Sequence, residues 1–327
     1  MSPGGRAILP HVPLGKGAEF DAVRALLSQW VNVASGIGDD AAVLDVPAGS
    51  RLVVSTDTTV EDVHFRRAWI TPEEIGWRAT QAALSDLAAM GASPLGLLVA
   101  MSVPAGWRVD LPALGAGIGA AASYAGAPIV GGDVTNSERL AFSITALGHA
   151  TRPLSRAGAR AGDTLFVTGA LGGAGAAVAA WERGGVPRAE HRARFARPEA
   201  RLAAGAWFAA HDAHALIDIS DGLTGESSHI AAASGVRCVL DVGALPCVLG
   251  VAAVDALSSG EEYELLVAAA PADAASFVAA FEAANGGLAL TAIGRVEDTK
   301  RSSGEVVATR GGVDVSLDGA HDHFADR

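Results

Sequence analysis

Apolar positions along this chain fall into two patterns, a three-to-four-residue recurrence and short, nearly unbroken runs. In residues 17–30 (GAEFDAVRALLSQW), Phe20, Val23, Leu26, Leu27 and Trp30 share one side of a helical spiral, which predicts an amphipathic helix. RLVVSTDT (51–58) reads as a strand ending in polar residues. Thr71, Pro72, Glu73 and Glu74 together form a helix start. They supply a hydroxyl cap, a proline whose missing N–H is harmless in the first turn, and two acids at the positive end of the helix dipole. That helix is expected to run to about Met90 and stop at Gly91. LGLLVAMSVP (95–104) predicts a buried strand, 109–125 an Ala-rich helix, and APIVGGD and LAFSITALGHA two further strands.

The pattern restarts near residue 150, where the turn-rich TRPLSRAGARAGD leads into the strand TLFVTG. Helices are expected at 174–183, 199–210, 223–234 and 272–284, and strands at HALIDISDGL, RCVLDVG, YELLVAA and LALTAIGRV. The expected boundary at 150–160 gives two domains, 1–150 and 151–327. Each mixes strands and helices in α/β or α+β layers, and no internal repeat is good enough to indicate duplication. With 327 residues, each half is long enough to bury its own core.

Composition narrows the partners. Half of the residues are hydrophobic and 18% are charged, which is not a disordered composition. The net charge is −12, and the only lysines are Lys16 and Lys300, so no basic tract suits a nucleic acid. No apolar run of membrane-spanning length occurs, and MSPGGRAILP lacks a signal-peptide pattern, so a cytoplasmic protein with no membrane partner is expected. Cys238 and Cys247 provide neither a disulfide framework nor metal-ligand spacing.

The chemistry of the chain lies in its acids. Asp86 is flanked on its helix by Ala82, Ala83, Ala89 and Met90, where a carboxylate needs a cationic partner such as Arg78, a solvent-facing edge, or a metal ion. Asp57 ends an apolar strand, and Asp39 and Asp40 follow the turn GIG; each reads either as a turn residue or as a cation ligand. Glu61 and Asp62 read as solvated-loop acids. Asp133 closes VGGD, where Gly131 and Gly132 permit close backbone approach to a ligand. In IDISDGL, Asp218 and Ser220 share a strand face, and Asp221 enters a turn before a helix. Together these segments repeat one device, an apolar run followed by acids beside Gly or Ser. Ligands that are all oxygen suit Mg2+, and several Mg2+ ions held by carboxylates imply a polyphosphate. No P-loop is present, since Gly15-Lys16 is followed by Gly17. GALGGAGAA (169–177) reads either as a packed glycine turn or as an incomplete dinucleotide-binding turn.

GIGDDAAVL, STDTTVEDVHF, LSDLAAMGASP, VGGDVTNS, IDISDGL and SGEEYELL, in this order, resemble the motif series of thiamine-monophosphate kinases. Those enzymes belong to the superfamily of aminoimidazole ribonucleotide synthetase. The resemblance implies two α/β domains with mixed sheets covered by helices, and a homodimer formed through the N-terminal domains. It implies that the C-terminal domain completes the nucleotide and substrate site. The implied reaction is ATP plus thiamine monophosphate to ADP plus thiamine diphosphate, by direct in-line transfer with several Mg2+ ions. The implied metal ligands are Asp39, Asp40, Ser55, Thr56, Asp57, Asp86, Asp133, Asp218 and Asp221, some through backbone oxygens. Gly132, Asp133, Arg156 and Ser220 would contact ATP, and His64, Glu261 and His321 would contact thiamine monophosphate. No residue is expected as a general base, because the acceptor is already an ionised phosphate. Transfer would rest on metal-bound Asp57, Asp86 and Asp133.

The chain departs from that family's usual wording in three places. Ser259 and Glu262 stand where GGEDYEL has Gly and Asp, and His321 precedes the final DHF where an aromatic residue is usual. The alternatives are another ATP-dependent member of the superfamily with a different acceptor, a non-catalytic nucleotide-binding protein, and a metal-dependent phosphatase.

Overall fold

The computed structural model describes residues 9–11, 13–14, 17–38, 40–299 and 304–316. The chain divides into two compact units, Met1–Leu87 with Pro94–His149, and Ala88–Ser93 with Ala150–Arg327.

The first unit carries β1 (Arg51–Val60), β2 (Ser93–Val103), β3 (Ile129–Asn136) and β4 (Ala141–Ala150) in the sheet order β1-β4-β2-β3. β2 and β3 run parallel, with Val99 opposite Gly132 and Ala100 opposite Asp133. β4 alternates strictly, burying Phe142, Ile144 and Ala146, as expected for a sheet covered on one face. Three helices accompany the sheet, α1 (Ala18–Gln29), α2 (Pro72–Ala89) and α3 (Leu111–Tyr124), with a 3-10 turn over Ala105–Asp110 leading into α3. The expected start of α2 forms a reciprocal cap. The Thr71 N–H donates to Glu74 Oε2 at 2.8 Å, and the Glu74 N–H donates to Thr71 Oγ1 at 3.3 Å.

The glycines of α3 are packing residues. Gly in a helix interior costs roughly 1 kcal/mol relative to Ala, yet α3 contains Gly115, Gly117 and Gly119. A Cβ on Gly117 would overlap the Glu73 carbonyl oxygen of α2, and one on Gly76 of α2 would overlap the Leu114 carbonyl oxygen. Gly115 and Gly119 face Leu26 of α1 and Trp30 just beyond it. The Trp30 indole N–H donates to the Gly115 carbonyl at 2.8 Å. α2 and α3 therefore meet backbone to backbone, and α3 takes the Leu26 and Trp30 side chains against its own backbone.

The second unit holds a seven-stranded sheet of β5 (Thr164–Thr168), β6 (Ala215–Asp218), β7 (Val236–Asp241), β8 (Leu265–Ala269), β9 (Leu290–Asp298), β10 (Glu305–Arg310) and β11 (Val313–Val315). Its order is β11-β10-β7-β9-β5-β8-β6. β7 and β10 are parallel, and the other pairs are antiparallel. Its helices are α4 (Gly173–Glu182), α5 (Ala189–Ala196), α6 (Leu202–Ala210), α7 (Leu223–Ser234), α8 (Ala253–Leu257) and α9 (Ala274–Ala284). The central strands bury both faces. Leu165, Val167, Ile217 and Leu266 join one core with Leu223 and Ile230. Phe166, Leu216, Leu265 and Val267 join the other with Phe208 and Phe281. Burial on both faces explains why these strands read as unbroken apolar runs.

The two mixed-sheet, helix-covered units agree with the expected fold class. The pattern did not reveal α5, α8, β10 or β11. α5 is AEHRARFA, eight residues that bury only His191, Phe195 and Ala196, and α8 has five residues. Both are too short to show a period. Among the described residues no helix is long and apolar enough to cross a membrane.

Gly117→Ala is expected to lower stability by about 1–3 kcal/mol through overpacking, although alanine is the better helix former. Chemical denaturation would read this as a lower midpoint with an unchanged slope.

Candidate functional site

Within the first unit, strand alternation sorts the STDT motif. Ser55 and Asp57 lie on the partly buried face of β1, whereas Thr56 and Thr58 lie on the exposed face. The Thr56 hydroxyl meets that of Thr145 on β4 at 2.8 Å, and that of Thr58 meets Ser143 at 3.1 Å. The Ser55 hydroxyl donates to Asp86 Oδ2, joining β1 to α2 across thirty-one positions of sequence. Asp86 thus has a neutral hydroxyl partner from the other predicted motif, and Asp57 stands on the same strand face as that hydroxyl. This contact brings together two of the expected ligands, and Asp57 follows two positions along the same strand face.

The remaining candidates of this unit are more dispersed. β1 and β3, which carry Asp57 and Asp133, are the two outer strands of their sheet, so three strand spacings, about 14 Å, separate the two strands. Asp133 and Asp40 are exposed. Asp39 lies outside the described residues. Gly132 is needed for the sheet itself, because a Cβ there would overlap the Val99 carbonyl oxygen of β2. His64 Nδ1 accepts the Val60 N–H at 3.1 Å, so in the neutral ring the proton sits on Nε2. Glu61 departs from the solvated-loop expectation. Its Oε2 accepts the Trp107 indole N–H at 2.9 Å and the Leu140 N–H at 3.3 Å, because the loop folds back over the end of the sheet. Asp62 is exposed, with φ 65.

In the second unit, β6 ends at the buried Asp218, and Ser220 and Asp221 occupy the turn before α7. That turn is held from below by Glu226, which the sequence reading missed. Its Oε1 accepts from the Asp221 N–H at 3.1 Å, the Ser220 hydroxyl at 3.2 Å and the Ser220 N–H at 3.3 Å. The available signal was an acid in the first turn of a predicted helix, five residues after Asp221. Burial pushes the Glu226 carboxyl up to about 7, against the lowering effect of the hydrogen bond from the Asp221 N–H. Arg156 is exposed, and its carbonyl accepts the Ser234 hydroxyl at 3.0 Å.

The segment Ser258–Glu264 lies against the same turn. The Glu261 N–H donates to the Ser220 carbonyl at 2.6 Å, and the Tyr263 N–H to the Ile219 carbonyl at 2.8 Å. Glu262 resolves the ambiguity of the glycine-rich segment. Its Oε1 accepts from the Gly172 N–H at 3.0 Å, the Ala174 N–H at 3.1 Å and the Ser259 hydroxyl at 2.6 Å, while Ser259 Oγ accepts the Gly175 N–H at 3.0 Å. The amides that would cradle a dinucleotide phosphate are occupied by the protein's own carboxylate, so GALGGAGAA is a packed turn. Ser259 and Glu262, the two departures in SGEEYEL, bond to each other. Burial pushes the Glu262 carboxyl up to about 7, although the Ser259 hydroxyl and the Arg194 charge pull it down, and its Oε2 is buried with no partner.

Burial likewise pushes the Cys238 thiol up to about 12 and raises Cys247, whose neighbour Glu262 adds to the effect. Neither thiol has the low pKa of a reactive nucleophile. His321 lies outside the described residues. Among the described residues no three His, Cys, Asp or Glu side chains form a ready metal-binding group. The donors at Ser55, Asp57 and Asp86 are all oxygen. That set fits Mg2+, which typically takes one or two carboxylates and completes its shell with water and substrate phosphate.

Comparison with known proteins follows the same division. The family described as AIR synthase related protein, N-terminal domain, matches residues 38–150, and its C-terminal domain matches residues 160–307. Thiamine-monophosphate kinase of Mycobacterium tuberculosis is 40% identical over 235 residues, covering 71% of this chain and 70% of that protein. The crystal structure of thiamine-monophosphate kinase from Stenotrophomonas maltophilia K279a superposes with a TM-score of 0.78 at 34% identity, covering 92% of this chain and 98% of that one. AaThiL complexed with AMPPCP and TMP superposes with a TM-score of 0.71 at 28% identity, covering 94% and 97%.

Glu262 makes stability depend on pH. Its folded pKa of about 7 lies above the ordinary 4.5, so between these values the folded protein holds a proton that the unfolded chain has released. Its contribution is complete below about pH 4.5, is lost as pH rises to about 7, and is flat above. The total is up to about 3 kcal/mol. Glu262→Gln is expected to remove this component, and denaturation midpoints of the two proteins from pH 4.5 to 8 would show it.

Proposed function

The chain belongs to the thiamine-monophosphate kinase family, within the AIR synthase related proteins, and we propose that it transfers the terminal phosphoryl group of ATP to thiamine monophosphate, giving ADP and thiamine diphosphate. The observation that carries this reading in the structure is the Ser55–Asp86 contact. Two signature segments of that family, remote in sequence, meet through oxygen donors beside Asp57.

The acceptor is an ionised phosphate and already a nucleophile, so the chain has no strong base to supply. Its work is alignment and the control of charge. Ser55, Asp57 and Asp86 in the first unit, and Asp218 and Asp221 in the second, are the residues that would hold Mg2+, with Asp40 and Asp133 as further candidates. Bound there, Mg2+ neutralises phosphate oxygens and screens the repulsion between two anionic substrates. Glu226 fixes the backbone of Ser220 and Asp221 before any ligand arrives. His64 and Glu261 are proposed contacts for thiamine monophosphate, and Gly132, Arg156 and Ser220 for ATP. Transfer is direct, without a phosphorylated protein intermediate. The reading places the enzyme in the cytoplasm with its nucleotide.

A homodimer through the first unit is proposed as well. The outward face of β1 leaves Leu52 and Val54 each 53% exposed, in line with Thr56 and Thr58 and next to Leu147 of β4. A second copy is the proposed cover for this open sheet face. Leu52→Asp with Val54→Asp is expected to yield monomers by light scattering coupled to size exclusion. An unchanged mass would exclude this face.

Incubation with Mg2+, ATP and thiamine monophosphate should give thiamine diphosphate in step with ADP. Asp57→Ala and Asp86→Ala should each reduce the rate by about 100-fold or more while circular dichroism stays unchanged. ADP without thiamine diphosphate would redirect the search to another acceptor, and release of inorganic phosphate alone would mark a phosphatase.

A further inference from the structure

We infer that Tyr263 is a positioning residue that aims the Glu261 carboxylate at the amine- and cation-bearing half of thiamine monophosphate. This rests on the reading of Glu261 as a substrate contact. The Tyr263 hydroxyl donates to Glu261 Oε2 at 2.6 Å, a charge-assisted bond of the stronger kind. Tyr263 is 7% exposed and lies in a packed setting, whereas Glu261 is only half-buried. A buried phenol is thus set against a carboxylate that still reaches solvent.

The backbone around the pair is immobilised at several points. Glu261 and Tyr263 both adopt left-handed conformations, φ 64 and φ 53, which non-glycine residues take only where surrounding structure enforces them. Here the enforcement is visible. Their N–H groups donate to the Ser220 and Ile219 carbonyls, and the Ile219 N–H donates to the Glu264 carbonyl at 2.8 Å. Gly260 approaches the Ser220 carbonyl so closely that a Cβ would come within 2.7 Å of its oxygen. Glu262, between the two, is turned to the glycine segment and anchored there with Ser259. With the main chain fixed, the side-chain torsions of Glu261 remain to be set, and the Tyr263 hydroxyl restrains them. Because the same bonds tie this segment to Ser220, the aim of Glu261 is set relative to the Asp218–Asp221 turn.

Glu261 is an anion and a hydrogen-bond acceptor. It suits the amino group and the positive ring of thiamine and repels the phosphate. Losing its orientation should therefore weaken one substrate selectively.

The test is a kinetic cycle of Tyr263→Phe, Glu261→Ala and the double variant, with KM measured separately for thiamine monophosphate and ATP. Tyr263→Phe is expected to raise KM for thiamine monophosphate about tenfold, the scale of one hydrogen bond to a charged group, with kcat and KM for ATP within about twofold. In the Glu261→Ala background the same change should add nothing. A Tyr263→Phe enzyme with unaltered KM for thiamine monophosphate, beside a Glu261→Ala enzyme that is impaired, would overturn the proposal and leave Glu261 as a contact. Equal losses in both backgrounds, accompanied by a lower melting temperature, would assign Tyr263 a structural role and overturn it too. A Glu261→Ala enzyme with normal KM for thiamine monophosphate would remove Glu261 from the site, and the proposal with it.

Discussion

Glu264 has zero solvent exposure, and the second unit is arranged around neutralising its charge. Arg201 grips the carboxylate with two nitrogens at 2.6 and 2.9 Å, Arg194 adds a third contact at 3.0 Å, and the Thr168 hydroxyl donates at 2.7 Å. A buried charge deprived of such partners would cost several kcal/mol, so the elements that carry them are tied to one point. These are the end of β5, helix α5, and the segment before α6. Gly169 passes so close to the carboxylate that a side chain there would overlap it. The Ile219 N–H bonds to the carbonyl of the same residue, so the turn bearing Ser220 and Asp221 inherits the position of Glu264.

The same rule recurs on a smaller scale. A carboxylate withdrawn from water acquires donors, and the donors are amides and hydroxyls of turns and helix starts. Glu262 collects two amides at the start of α4 and the Ser259 hydroxyl, Glu226 collects three donors in the turn before α7, and Asp86 receives the hydroxyl of Ser55. This separates two populations of acids. Glu226, Glu262 and Glu264 act as internal anchors. Asp40 and Asp133 are exposed, and Asp57 and Asp221 are half-buried, which leaves them on surfaces that a cation and a phosphate can reach. The first population holds the second in place.

The glycines follow a comparable division. Gly117 of α3 and Gly132 are required where backbones touch, and Gly115 and Gly119 where a neighbouring side chain packs, not where a ligand approaches. The glycine-rich run after β5 looked like a phosphate turn because its spacing is nearly right. Its amides are bonded internally by a carboxylate more than ninety positions after the run begins.

What the sequence determined by itself was whatever depends on neighbours along the chain. Periodicity placed α1, α2, β1 and β4 within a few residues, because a helix face or strand alternation is a local property. The order of the acidic motifs was enough to indicate the family. Short elements such as α5 and α8 escaped, since their stability comes from what they pack against. Tertiary structure alone decided which acids anchor and which are left for ligands. It put Ser55 on Asp86, gave Glu61 the Trp107 indole, closed the glycine turn with Glu262, and brought the Tyr263 hydroxyl to Glu261. A carboxylate looks the same in any sequence. Its role follows from the donors and solvent around it, and those are set by chain segments that only folding brings together.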